Sequence, residues 1–418
     1  MRTPFAWVGD RSRAALLLVL LVLAGAAASA PRIGDWSGSW KQALDTGAGA
    51  TVFIGPVASG AACLAYARLR SSAMDDIVLQ SRRDWWRWLQ PLVTVWALAS
   101  LALVLVALGT TSIAAARGVP ASPTLFWVLL PPCGLLAGQA AIGAAIGHAS
   151  ARLWAAPAAV VLVFLLFLWT TVGPIPDFFD TGGATGSLAG QTYRVWPTVA
   201  VGVAGLALAG SVLVLAHPRL FLANALRSVV ALGVLATWVA GWWFTPADGG
   251  ERYVLLDDPP LACAGAEPQV CVLADTPRPL KDLATKVDRQ AAALRAIGVA
   301  LPARFVESYG PPEDSGDGIV VLLDESPRRT VDPERATDTL VRPAACPADY
   351  ADEPPFLAFD ARRQLGRWLQ LRAGLLEPDP ESGDFAWLTG DPATQAAWVR
   401  TTYRQLSECR YDQIRLPG

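Results

Sequence analysis

The sequence predicts an α-helical polytopic membrane domain of about seven transmembrane helices, followed by a soluble extracytoplasmic α/β domain. Three observations carry this reading. Of 418 residues, 53% are hydrophobic and only 17% are charged, a composition too apolar for a soluble protein of this length. The apolar residues concentrate in long runs that stop near residue 245. The charge divides at the same place: residues 1–245 carry 15 basic and 8 acidic side chains, a balance of +7, while residues 246–418 carry 19 and 28, a balance of −9. The domains are therefore expected at 1–245 and 246–418.

Arg2, Arg11 and Arg13 precede the first apolar run, Ala14 to Ala30. Its Ala28-Ser29-Ala30 ending resembles a signal-peptidase site, whereas Pro31 and the apolar sequence beyond it favour an uncleaved helix; both readings start the next segment outside. Further spans are expected at Thr46 to Ala67, Pro91 to Ala114, Pro123 to Gly147, Leu153 to Val172, Val195 to Ala216 and Val229 to Phe244, each near the ~20 residues that cross a bilayer. Arginines 68, 70, 82, 83 and 87 crowd the connection after the second span. Basic residues near span ends are retained inside, so this loop sets the orientation of its neighbours. The N-terminus is then cytoplasmic and the C-terminal domain outside, in a multi-pass protein of the plasma membrane. Trp36, Trp40, Trp85, Trp86, Trp88, Trp154, Trp196, Trp242 and Trp243 fall near span ends and read as an interfacial belt.

Within the spans, Gly134-x-x-x-Gly138 and Gly143-x-x-x-Gly147 put small residues on one helix face, where backbones approach closely. Packing inside the subunit and a subunit interface or moving seam are both open. Gly55-Pro56 and Pro131-Pro132 are expected to kink their helices. No Asp, Glu, Lys or Arg stands in the middle of an expected span, which disfavours coupling to an ion gradient. Gln139 and His148 are the polar exceptions, read as a hydrogen-bonded helix contact and a helix end.

After residue 245, Pro246 to Gly250 reads as a linker. Arg252 to Leu256, Gln269 to Leu273, Ala303 to Tyr309 and Gly318 to Asp324 have strand composition. Helices are expected at Pro279 to Ile297, closed by Gly298, at Phe356 to Leu376, and at Pro392 to Cys409 with Asp391 as cap. Four of the six cysteines, Cys263, Cys271, Cys346 and Cys409, fall in this domain, as an oxidising compartment favours. Of the three possible pairings, Cys263 with Cys271 and Cys346 with Cys409 is preferred.

Several functions are excluded or disfavoured. The three lysines, Lys41, Lys281 and Lys286, stand outside any G-x-x-x-x-G-K-[ST] loop, so the chain carries no ATPase motif of its own. The two histidines, His148 and His217, lie at span ends, which removes Ser-His-Asp chemistry, Cys-His chemistry and HExxH zinc sites from the tail. The acidic tail does not suit nucleic acid or anionic lipid. Asp257, Asp258, Asp324, Glu325, Ser326, Glu307 and Asp360 have no readable catalytic partner; no catalytic, cofactor or metal residue is expected.

The stretch FIGPVASGAACLAYARLRSSAMDDIVLQSRRDWWRWLQPLVTVWALA resembles the second and third spans of ABC-type transporter permease-like proteins of high-GC Gram-positive bacteria. AIGAAIGHASARLWAAPAAVVLVFLLF is similar to their fourth and fifth spans, and CAGAEPQVCVLADTPRPL to the opening of the outer domain that some of them carry. The resemblance implies a separately encoded ABC ATPase as partner, and a homodimer or a related permease subunit as the second membrane half. The substrate is unknown. It would make Met74 to Trp88 the loop that receives the ATPase's motion, through Arg82, Arg83, Trp85, Trp86, Arg87 and Trp88. The competing reading is that these residues only enforce topology and anchor the helix in the lipid bilayer. Seven spans and a large outer domain depart from the usual six-span ABC exporter, and an envelope sensor, receptor or assembly factor acting through its outer domain is the alternative.

Overall fold

The computed structural model describes residues 11–71, 84–172, 181–183, 188–216, 252–275, 279–307, 317–320, 331–344, 346, 356–376 and 387–417. The chain forms two compact units, Met1–Leu256 and Asp257–Gly418.

The first unit is helical: α1 (Arg11–Ser29), α2 (Ile33–Trp36), α3 (Trp40–Gly49), α4 (Thr51–Ser71), α5 (Asp84–Ala116), α6 (Leu130–Ser150), α7 (Ala155–Val172) and α8 (Val195–Ala216). Among the described residues five helices are long and apolar enough to cross a membrane: Arg11–Trp36, Trp40–Ser71, Trp88–Ala116, Pro123–Ser150 and Val195–Val212. The apolar stretch Ala155–Trp169 of α7 is shorter. The span expected at Val229 to Phe244 and the linker at Pro246 to Gly250 lie outside the described residues.

Helix α6 is the hub, and its glycines explain why. A Cβ at Gly143 would stand 2.0 Å from the Ser59 carbonyl oxygen, and one at Gly147 2.2 Å from that of Cys63, so this pair seats α6 against α4. On another face, a Cβ at Gly134 would lie 2.4 Å from the Gly202 oxygen and one at Gly138 2.8 Å from that of Gly205. Both small-residue motifs are thus occupied by helices of the same chain. Contacts advance in the same direction along each pair, by four residues on both α6 and α4 and by four on α6 and three on α8, so α4, α6 and α8 run parallel and start at one end of the bundle. Pro131 and Pro132 fall in the first turn of α6, where a missing N–H is harmless, rather than at an interior kink. Pro56 stays inside α4.

Helix α1 joins the bundle through Leu21 and Gly25, the latter against Ile54 and Val106. Two short strands close the unit: β1 (Gln191–Tyr193) pairs antiparallel with β2 (Tyr253–Leu255). The strand expected at Arg252 to Leu256 therefore completes the first unit instead of opening the second.

The second unit has a four-stranded sheet, β3 (Leu261–Ala264), β4 (Gln269–Leu273), β5 (Arg304–Glu307) and β6 (Gly318–Val320), in that order. β3 is antiparallel to β4, and β4, β5 and β6 are parallel. Helix α9 (Leu280–Ala296) links β4 to β5 and ends before Gly298, whose φ of 77° is the left-handed conformation that glycine adopts freely. Helices α10 (Pro333–Leu340), α11 (Phe356–Arg372) and α12 (Pro392–Ser407) complete it. Asp391 caps α12 by accepting from the Thr394 N–H at 3.0 Å. Val270, Phe305 and Val320 of the sheet pack with Leu283 and Leu294 of α9, Leu365 and Trp368 of α11, and Tyr403 of α12. Disulfides join Cys263 to Cys271, directly opposed on β3 and β4, and Cys346 to Cys409 at the end of α12.

Candidate functional site

The one acidic side chain buried among the described membrane helices is Asp45, and it organises the end of the bundle where α4, α6 and α8 begin. Sequence reading started the second span at Thr46 and left Lys41 and Asp45 in an outside loop. The helix instead starts at Trp40, because Ser39 caps it by accepting from the Gln42 N–H. Five residues inside that start, Asp45 is fully buried. A buried carboxylate needs compensation, and both oxygens of Asp45 have partners. Oδ1 accepts from the Tyr253 hydroxyl and lies 3.9 Å from the Arg252 guanidinium; Oδ2 accepts from the Gly183 N–H at 2.7 Å. Burial, with the Asp45 charge beside them, raises the Tyr193 and Tyr253 phenols well above their ordinary value, so both remain protonated donors.

The surrounding groups fix the same corner. Lys41 donates to the carbonyls of Leu188 and Gln191, and Arg32 donates to that of Gly183 at 3.1 Å. Thr181 bonds Thr51 Oγ1 at 2.6 Å and the Ala48 carbonyl at 3.0 Å, stitching the junction at Ala50 between α3 and α4. Because Ala50 is itself in the right-handed helical region, the two helices form one rod from Trp40 to Ser71, about 48 Å at 1.5 Å per residue.

The rod's far end holds a second set of contacts. Tyr66 donates its hydroxyl to the Trp88 carbonyl at 2.7 Å and packs edge-on to the Trp88 ring, which also meets His148. Arg70 donates to the carbonyls of His148 and Ala149 at the end of α6. Trp88 is therefore buried in these contacts, while Trp86 is exposed. Arg82 and Arg83 lie outside the described residues, as do the side chains of Trp85 and Arg87.

The tryptophan belt divides in the same way. Trp36 and Trp40 are buried, the former donating to the Ser29 carbonyl at 2.8 Å, whereas Trp154 and Trp196 are exposed. Side chains of Trp242 and Trp243 are outside the described residues. Gln139 is buried against Gly55, and its amide makes no hydrogen bond among the described residues, so it is a packing contact rather than the hydrogen-bonded one expected.

In the second unit, Glu307 closes the end of β5 by accepting from the Leu273 N–H at 3.0 Å, and Asp360 pairs with Arg363 at 3.4 Å. Asp324, Glu325 and Ser326 lie outside the described residues. Among the described residues no three His, Cys, Asp or Glu side chains gather as a metal site would require.

Residues 270–409 match a family described as a domain of unknown function (DUF7224). No curated protein and no solved structure matches the chain.

Proposed function

We propose that the chain is a permease-like membrane subunit of an ABC-type complex, working with a separately encoded ATPase and handling an unknown substrate. The observation that carries this reading is the rod Trp40–Ser71, held at one end by Asp45 with Arg252 and Tyr253, and at the other by Tyr66 and Arg70. A packed helix longer than the ~30 Å hydrocarbon layer joins the two faces mechanically. Its Ser71 end leads into the arginine-rich loop, which the positive-inside bias assigns to the cytoplasm.

Topology supports the same orientation. β1 immediately precedes α8 and β2 pairs with β1, so β2 lies at the end of the bundle where α8 begins, not where it ends. That placement supports a seventh crossing and an extracytoplasmic second unit, in keeping with two disulfides there.

A second reading is an envelope sensor or assembly factor acting through its outer domain. The Asp45 latch favours it, because β2 runs within one residue of the second unit. Purification in mild detergent separates the two: a cassette ATPase that co-purifies with the chain supports the permease, and its absence leaves the sensor.

A further inference from the structure

The second unit is acidic overall, yet helix α11 carries Arg362, Arg363, Arg367 and Arg372 against Asp360 alone. Its inner face, with Ala358, Ala361, Leu365, Trp368 and Leu369, is buried in the core. Its outer face begins with Phe356, Leu357 and Phe359, exposed by 73%, 42% and 64%. Residues 356, 359, 363 and 367 follow helical spacing, which places the aromatic side chains and two arginines in one stripe. Arg363 is exposed and pairs with Asp360, and Arg367 is half-buried. Elsewhere among the described residues of this unit, the exposed large apolar side chains are the isolated Leu261 and Leu416.

We propose that this stripe docks on the lipid surface of the membrane, with Phe356, Leu357 and Phe359 entering the headgroup region and Arg363 and Arg367 facing lipid phosphates. Two observations select lipid as the occupant. Basic charge beside an apolar wedge complements a phospholipid interface, and among the described residues of this unit the combination is confined to α11. The unit also follows the membrane unit directly, Asp257 after Leu256, so the bilayer is a partner that the chain cannot leave. Exposed phenylalanines gain by transfer from water into the interface, and each arginine adds attraction to anionic lipid. The inference rests on the membrane anchorage and not on an ATPase partner.

The test uses the full chain in nanodiscs of phosphatidylcholine, with or without phosphatidylglycerol. The photoreactive p-benzoylphenylalanine is placed at Phe356 or Phe359, and at the exposed Arg289 of α9 as a control. Non-reducing mass analysis confirms both disulfides in each variant. Lipid adducts at Phe356 and Phe359 should exceed the control by about tenfold, the scale expected for burying an aromatic side chain. Phosphatidylglycerol should increase them, and Arg363→Glu with Arg367→Glu should remove that increase. Cross-links to a second copy, to another protein or to other residues of this chain, or adducts at the control level, would overturn the proposal.

Discussion

Tyr253 donates its hydroxyl to Asp45 from 208 positions along the chain, and Arg252 beside it supplies the counter-charge. The last strand of the first unit thus completes the environment of an early helix. Breaking a buried pair leaves an uncompensated charge, at about 3–5 kcal/mol. Arg252→Ala should fall near 3 kcal/mol, the low end of that range, because the pair is 3.9 Å apart and Tyr253 and Gly183 remain. Adding Asp45→Asn should restore part of the loss. Thermal unfolding of the four proteins of this cycle in detergent measures the coupling, and additive losses would contradict it.

The glycine faces of α6 make a second prediction. Gly143→Ala places a methyl group 2.0 Å from the Ser59 carbonyl oxygen and should destabilise the bundle by at least the ~1–3 kcal/mol of ordinary overpacking. Gly109→Ala and Gly210→Ala, where a Cβ meets nothing within 4 Å, should be neutral or slightly stabilising. Melting temperatures of the purified variants give the comparison.

Much of this arrangement was legible in the sequence, and the exceptions have physical causes. Apolar runs located α1 and α4 to α8, because a lipid-facing helix needs no polar face. The glycine motifs showed that backbones meet, but spacing alone cannot say which helix fills each face. Asp45 and Lys41 precede the apolar run from Thr46, which alone does not reveal that the helix begins earlier; Ser39, which caps it by accepting from the Gln42 N–H, is the signal. β1 and β3 are too short for alternation to register. Helix α10 could have been read from Asp332-Pro333-Glu334, where Asp332 accepts from the Glu334 N–H as a cap.

The disulfides differ in what they should contribute. On the chain-entropy model, closing a loop of 63 residues contributes about 4 kcal/mol and one of 8 residues about 2.5 kcal/mol. Cys346→Ser with Cys409→Ser should therefore lower stability more than Cys263→Ser with Cys271→Ser. Denaturant unfolding of the full chain tests the order. Alkylation without reductant should leave all four thiols unmodified in the wild-type protein.

Acid should loosen the second unit at a defined place. Burial works against the Asp282 charge, but hydrogen bonds from the Lys286 ammonium and the Val331 N–H outweigh it and hold the carboxyl below its ordinary value. The unfolded chain then binds the proton more readily, so this contribution is present above the ordinary value of about 3.9 and is lost as pH falls through the lower folded value. Asp391 runs the same way through its bonds from Thr394, while burial raises Asp338, whose contribution is lost as pH rises through its folded value. Exchange protection of the Val331 amide should fall below about pH 4, and Asp282→Asn should remove that step.

The rod is the centre of the proposed mechanism, and hydrogen exchange in lipid nanodiscs tests it most directly. Arg252→Ala removes a contact at the Asp45 end only. If α3 and α4 act as one mechanical element, exchange should rise at residues 40–49 and also at 66–71 and 84–89, where Tyr66 holds Trp88. A rise confined to residues 40–49 and the β1–β2 ribbon would contradict the relay.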